Sequence, residues 1–121
     1  MVECATYGEF DLVKEYLNDG ADVDGVSNLH KHGVTALMAA SSSGQYEIVK
    51  YLIGYGADID FTPVNLSAID LAIISLYQYE NGIVVSTRQE EQIPNLKKII
   101  DLLKSHSAYI HPDIDSIKKM Y

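Results

Sequence analysis

The sequence contains little cysteine and no long apolar run. Its single cysteine, Cys4, cannot form an internal disulfide, which agrees with a reducing compartment, and such a residue is expected to be a small buried side chain. A transmembrane helix needs about 18 consecutive apolar residues, and no such stretch occurs. The N-terminal stretch MVECATYGEF carries acids where a secretory signal would carry bases. We therefore expect a cytoplasmic protein.

Basic residues are also scarce. Nine lysines and arginines stand against 17 acids, so the net charge is −8. Nucleic acids and anionic membranes both require a basic surface, so neither is an expected partner, whereas a basic protein is. Before residue 25 the only base is Lys14, among the acids Glu3, Glu9, Asp11, Glu15, Asp19, Asp22 and Asp24. This distribution predicts a negative end of the molecule; the alternative is that the charge only keeps a monomer soluble.

An internal repeat accounts for much of the apolar content. The 121 residues, 47% of them hydrophobic, suit one domain with one continuous core. Three segments align, at residues 11–24 (DLVKEYLNDGADVD), 47–60 (EIVKYLIGYGADID) and 98–111 (KIIDLLKSHSAYIH). Their apolar residues recur at helical spacing, which predicts a helix with one buried face in each segment. These residues are Leu12, Val13, Tyr16 and Leu17; Ile48, Val49, Leu52 and Ile53; and Ile99, Ile100, Leu102 and Leu103.

A shorter apolar segment precedes each of these helices. Residues 33–45 (GVTALMAASSSGQ) and 65–76 (NLSAIDLAIISL) contain Thr35 and Ser67, whose hydroxyls can cap a helix N-terminus. Alanines follow both caps and favour a helix that a neighbour can approach closely. Only MVECATYG precedes the first long helix, so its short helix is expected to be abbreviated. The repeating unit is therefore helix, tight turn, helix and extended loop.

The second unit, HGVTALMAASSSGQYEIVKYLIGYGADID, resembles the ankyrin repeat. Residues 35–38 stand in the places of the family's T-P-L-H, Gly44 in that of the glycine between the helices, and residues 56–60 (GADID) in that of the closing motif. Ala36 and Met38 depart from the pattern, since they replace the helix-starting proline and a histidine that often bonds between repeats.

The resemblance covers roughly residues 1–111 and implies an all-α fold. That fold is a single-domain solenoid of helix-turn-helix units with hairpin-like loops. The units are expected at approximately 1–24, 25–60 and 61–111, and a C-terminal cap at 112–121.

The spacing between the glycines that end the long helices gives the length of each unit. Gly20 and Gly56 suit the left-handed conformation after a helix and are 36 positions apart, whereas about 33 is usual in the family. Residues 25–32 are therefore expected to form a lengthened loop. Ser107 replaces the glycine in the third copy, 51 positions after Gly56, which predicts an insertion at residues 77–94.

Local signals refine the last unit. Asn81-Gly82 predicts a turn in the insertion, and Pro94 predicts the first turn of the following helix. Residues 112–121 are expected to form a short helix that covers the last repeat with Ile114, Ile117 and Met120, after an N-cap at Asp113 or Asp115.

The sequence contains no pattern that predicts catalysis. It lacks G-x-S-x-G, H-E-x-x-H, a phosphate-binding glycine loop and C-x-x-C, so neither an enzyme nor a cofactor is expected. His30 and His32 lie near Asp22 and Asp24, which leaves a metal-binding or hydrolytic enzyme as an alternative, although the spacing is weak. Asp70 stands on a mostly apolar helix and is expected to cap or bond backbone between repeats.

The resemblance implies a concave binding surface of loop tips and helix ends. In the second unit these positions are His30, Lys31, His32, Val34, Ser42 and Ser43. The matching positions elsewhere are Thr6, Tyr7, Pro63, Val64, Leu66, Ile74 and Ser75, with a core role as the alternative for Leu66 and Ile74. The insertion offers Tyr77 and Tyr79 as further interface anchors.

These features predict a protein-protein interaction module without catalytic activity. Its partner is expected to be a basic protein such as a toxin or an effector, which the module would inhibit as bacterial immunity proteins do. The wording TALMAA suggests a bacterial source. A monomer is expected; the alternative is an oligomerising or structural protein whose C-terminal cap packs against a second copy.

Overall fold

Seven helices make up the parts of the chain that the computed structural model describes, which are residues 2–26, 34–61, 66–82, 89–106 and 110–120. The helices are α1 (Val2–Tyr7), α2 (Phe10–Asn18), α3 (Ala36–Ser42), α4 (Tyr46–Tyr55), α5 (Ala68–Glu80), α6 (Gln89–Ser105) and α7 (Ile114–Met120). No strand occurs in these ranges. The predicted all-α class is confirmed, as is the short first helix.

The helices form two layers. The inner layer is α1, α3, α5 and α7, in which each helix packs on the next, and the outer layer is α2, α4 and α6, packed in the same order. Each outer helix also packs on the inner helix that precedes it in the chain. This arrangement is a solenoid of helix pairs, in which α7 is an inner helix that follows the third pair.

The predicted helix caps are present. The Thr35 hydroxyl oxygen accepts a hydrogen bond from the Met38 amide at 3.2 Å and so begins α3. Ser67 occupies the same place before α5. Gly56 follows α4 with a φ of 105°, which is strained for any residue that has a Cβ, and Gly20 has a φ of 94° after α2. The local signals therefore mark the starts of α3 and α5 and the ends of α2 and α4.

Asp70 bonds backbone across the last unit, as predicted. It is only 2% exposed. Its Oδ2 accepts from the amide and the hydroxyl of Ser67 at 3.1 and 3.2 Å, and its Oδ1 accepts from the His111 amide at 2.9 Å. This buried carboxylate thus both caps α5 and holds the segment that leads into α7.

Two hydrophobic clusters form the core. The main cluster runs from α1 to α6, and its largest fully buried side chains are Leu17, Leu37, Met38, Leu52, Ile69, Leu96, Ile99 and Leu103. A smaller cluster joins Leu66, Ile74 and Ile114, with Ile117 packed against it. The predicted closing helix therefore covers the last unit. It begins at Ile114, so Asp113 and not Asp115 stands at the N-cap position.

Within the described residues three hydrogen bonds that involve a side chain join the first two units, and in each of them the donor belongs to the second unit. Gln45 Nε2 donates to the Thr6 carbonyl at 3.3 Å, and the Tyr55 hydroxyl donates to the Leu17 carbonyl at 3.1 Å. The Asp58 amide donates to Asp24 Oδ1 at 2.8 Å. Two of these bonds satisfy carbonyls at the C-terminal ends of α1 and α2, which lack partners within their own helices.

The proposed insertion contains more helix than the sequence indicates. Residues 77–80 continue α5, and residues 89–94 form the first turns of α6. Asn81-Gly82 forms the predicted turn directly after α5, and residues 83–88 lie outside the described part of the chain. The prediction that Pro94 starts a helix is wrong. Pro94 lies inside α6, where the carbonyl that loses its donor belongs to residue 90, still within the first turn.

Two burial predictions also need correction. Leu12 and Tyr16 are 41% and 46% exposed, although Val13 and Leu17 of the same stripe are buried. The reason is that α2 is the first outer helix, and no other described helix covers its far side. Cys4 is half-buried against the main core, where a fully buried side chain is expected from the sequence.

Candidate functional site

The predicted loop-tip residues are only partly placed by the structure. His30, Lys31 and His32 lie outside the described residues, as do Pro63 and Val64. Val34 is half-buried and packs against the main core. Only part of the Val34 side chain is therefore exposed for contact with a partner.

A row of polar positions runs along the C-terminal ends of the inner helices. Ser42 and Ser43 are half-buried at the end of α3, and the Ser42 hydroxyl donates to the Ala39 carbonyl at 3.2 Å. In the first unit the Thr6 hydroxyl donates to the Val2 carbonyl at 3.0 Å, and Tyr7 is exposed. Because neighbouring inner helices pack together, the predicted positions of the first two units lie side by side.

In the third unit this row is largely covered. Leu66 and Ile74 are buried in the small cluster with Ile114, so their assignment to the binding surface is wrong and the core alternative is correct. Ser75 remains half-buried beside them. The cover comes from α7, which packs on α5 as the inner helix of a further unit would.

Tyr77 and Tyr79 are helix residues and not loop residues. Both lie in the last turns of α5 and are half-buried. Tyr79 packs against the main core, and the Lys118 ammonium of α7 lies 5.3 Å from the centroid of the Tyr77 ring. Internal packing therefore uses part of each ring. No local sequence pattern predicts the contact between Tyr77 and Lys118, since it joins residues far apart in the chain.

The carboxylates of the repeated GADxD motif hold the loops. Asp22 Oδ1 accepts from the Asp24 amide at 3.0 Å, and Asp58 Oδ1 accepts from the Asp60 amide at 3.1 Å. Asp24 accepts in turn from the next unit, as described above. In the described ranges no group of three or more His, Cys, Asp or Glu residues could hold a metal ion. His30 and His32 lie outside those ranges.

An aromatic groove on the outer layer was not predicted as a cluster. Phe10 of α2 meets Tyr51 of α4 edge to face, with ring centroids 5.4 Å apart. The Lys14 ammonium lies 4.3 Å from the centroid of the Phe10 ring, where the negative face of the ring attracts it. These rings and Tyr55 line an open groove of about 450 Å³. Tyr51 and Tyr55 thus both belong to the outer helix α4.

A second hollow lies on the far side of α2. Leu12, Glu15, Tyr16 and Asp19 line it, and its volume is about 240 Å³. These residues are spaced i, i+3, i+4 and i+7, so they share one face of the helix. All four are exposed. The acids of the predicted negative end therefore lie beside apolar side chains that periodicity alone placed in the core.

Among the helices of the described residues, none has the length and apolar content that a membrane span requires.

A family model described as ankyrin repeats (3 copies) matches residues 1–82 of the chain. The matched span ends just after α5, so α6 and α7 lie beyond it. No curated protein matches the chain significantly. The bacterial source suggested by the second unit stays a prediction, because the match does not bear on it.

Proposed function

The chain belongs to the ankyrin-repeat family, whose repeats mediate binding to other proteins and are generally not catalytic, and from this premise we propose that it is an acidic inhibitor that binds and neutralises a basic partner protein. The partner class is a toxin or an effector, and the inhibitor acts in the manner of an immunity protein. We place the complex in the cytoplasm and the free inhibitor in a monomeric state.

The observation that carries this proposal is the charge of the first unit. Six acids of this unit are exposed, namely Glu3, Glu9, Asp11, Glu15, Asp19 and Asp22. The single base in the same stretch, Lys14, lies over the Phe10 ring. A concentrated field of one sign accelerates encounter with an oppositely charged protein and disfavours wrong partners.

The proposed contact surface combines the inner-helix row with the predicted loop tip. Ser42 and Ser43 stand at the centre of that row, and His30, Lys31 and His32 are proposed to flank it on the loop. Tyr77 and Tyr79 remain proposed as contacts through the parts of their rings that are not used internally. The half-burial of these serines and tyrosines leaves each of them some surface to offer.

Cross-linking of the full chain in its native cells, followed by titration with the purified partner, tests the function. We expect a basic partner whose affinity falls as salt is raised, because exposed charge pairs are screened. The double variant S42R/S43R should weaken binding, whereas K119A at the far end of the chain serves as the matched surface control. An acidic partner, or an affinity that salt leaves unchanged, would contradict the proposal.

The oligomerising alternative receives no support from the C-terminal end. It requires the C-terminal cap to pack against a second copy, but the described side chains of α7 include no exposed large hydrophobic residue. Sedimentation over a range of concentrations separates the two readings, since the inhibitor proposal requires a monomer in the absence of partner.

A further inference from the structure

The exposed apolar residues of α2 occupy places that are core in the other units. In the repeat alignment Leu12 and Tyr16 correspond to Ile48 and Leu52 of α4, which are 2% and 0% exposed. They also correspond to Ile99 and Leu103 of α6, which are fully buried. Helices α4 and α6 each pack on the outer helix before them. In α2 the corresponding positions face solvent. This helix therefore has the apolar face of an interior unit, but no further outer helix in the described chain packs on that face.

The rim of this surface is acidic. Glu15 and Asp19 lie on the same helix face as Leu12 and Tyr16, and Asp11 is exposed beside them. We use the name α2 end face for Leu12, Glu15, Tyr16 and Asp19. It presents two apolar side chains along one helix, with carboxylates directly next to them.

We infer that the α2 end face is a docking surface for a basic amphipathic helix of the partner protein, laid along α2 as α2 is laid along α4. The inference rests on the proposed function and adds a second contact to the inner-helix row, together with the form of the partner segment that makes it. A helix is indicated because, at the corresponding places of α4, Tyr51 contacts the Phe10 ring of α2 and Tyr55 donates to the Leu17 carbonyl. A basic flank is indicated because Glu15 and Asp19 need opposite charges when their surroundings are desolvated.

A second copy of the chain fits this surface less well. Two α2 end faces brought together would oppose carboxylates to carboxylates. A head-to-tail contact would use the last outer helix, where Lys97 and Lys104 are exposed at the places that Tyr46 and Ile53 hold in α4. All the large hydrophobic side chains that are exposed in the described ranges lie between residues 7 and 55. The described C-terminal end therefore offers no apolar counterpart.

The test uses the full chain and a synthetic probe, a 14-residue helical peptide of leucine and lysine with leucines on one face. A peptide of the same composition in scrambled order controls for charge alone. We expect calorimetric titration to show the patterned peptide binding at least about tenfold more tightly than the scrambled one, a factor that corresponds to about 1.4 kcal/mol. The double variant L12S/Y16S should lose about that factor, because it removes both apolar anchors.

Matched variants separate this face from general effects. V26S removes an exposed apolar side chain elsewhere and should leave the affinity unchanged. E15Q/D19N should flatten the salt dependence of binding more than E80Q/D101N, which removes the same charge from distant exposed positions. Circular dichroism of each variant checks that the helices are retained, which is expected because all the substituted side chains are exposed.

The outcomes distinguish the face from the function. Equal affinity of the chain and of L12S/Y16S for the patterned peptide, or absence of peptide binding, overturns the docking surface. A dimer in sedimentation that L12S/Y16S converts to a monomer also overturns the docking surface, since the occupant is then a second copy of the chain. A native basic partner that binds both proteins equally leaves the inhibitor function intact and removes only the α2 end face. If the wild-type chain binds no basic partner, the proposed function itself fails.

Discussion

The two ends of the solenoid present their last helices in opposite ways. A terminal unit lacks one neighbour, and repeat proteins usually meet this with a polar outer surface. At the C-terminal end α7 covers α5, and α6 carries exposed Lys97 and Lys104. At the N-terminal end α2 keeps Leu12 and Tyr16 exposed. One end is closed as a cap, and the other retains the apolar register of an interior unit.

This difference shows that two factors determine separately whether a side chain is buried. One is the position of the residue within its repeat, and the other is the position of that repeat in the array. The repeat register decides which residues face a neighbouring unit, and the array decides whether that neighbour exists. Burial of a leucine contributes about 1.5–3 kcal/mol, so an apolar side chain that stays partly exposed at an open end loses a part of that contribution. Substitutions at corresponding positions can therefore measure how open each end is.

The largest effect is expected from a pair of equivalent substitutions. Leu52→Ala should lower the free energy of unfolding by about 2–5 kcal/mol, because it leaves a cavity in the main core. Tyr16→Ala, at the corresponding place in α2, should lower it by only about 1 kcal/mol, because nearly half of its side chain is already exposed. Urea unfolding followed by circular dichroism measures both. Similar losses for the two variants would mean that the N-terminal end is covered in solution.

A smaller effect is expected at the closed end. Asp70→Ala should cost about 1–3 kcal/mol, because the buried amides of Ser67 and His111 lose their acceptor. The loss should be concentrated in α7, so amide exchange there should accelerate more than in α4. Asp115→Ala is the control, since it removes an acid of α7 that is exposed and pairs with Lys118 at 3.2 Å. Unchanged exchange in α7 of the Asp70 variant would argue against its role in holding the cap.

The smallest effect on stability is expected from giving the C-terminal end the character of an interior unit. K97Y/K104I restores the residue types of Tyr46 and Ile53 at exposed positions and should change the free energy of unfolding by no more than about 0.5 kcal/mol. It should nevertheless cause head-to-tail association through the α2 end face, since complementary end surfaces that do not close form open chains. Sedimentation velocity at rising concentration detects this. Addition of L12S/Y16S to the same chain should restore the monomer; oligomers that persist would locate the contact elsewhere.

The features that sequence predicts well here are those whose cause is local. Thr35 and Ser67 begin helices because a hydroxyl satisfies free amides of the first turn, and Gly56 ends one because of its backbone freedom. The rule that buried carboxylates are hydrogen-bonded predicts the role of Asp70. It does not predict that the His111 amide is one of the partners.

The errors arise where a distant neighbour decides the outcome. Helical periodicity marks Leu12 and Tyr16 as a packing face but carries no information on whether anything packs there. Pro94 is a local signal for a helix start, yet α6 extends before it toward residue 89. The contact of Lys118 with the Tyr77 ring joins α7 to α5 and has no counterpart in the local pattern.

The hydrogen bonds that the second unit donates to Thr6 and Leu17 bear on the order in which the array assembles. Helices α1 and α2 have only six and nine residues, too few for independent stability in water. The Thr6 carbonyl accepts from Gln45, and the Leu17 carbonyl accepts from Tyr55 in addition to the Gly20 amide. The first unit therefore gains hydrogen bonds from a second unit that has formed, and we expect it to be the first part of the molecule to open. A ligand that binds α2 would stabilise this unit by a free energy that grows with the logarithm of the ligand concentration divided by its dissociation constant.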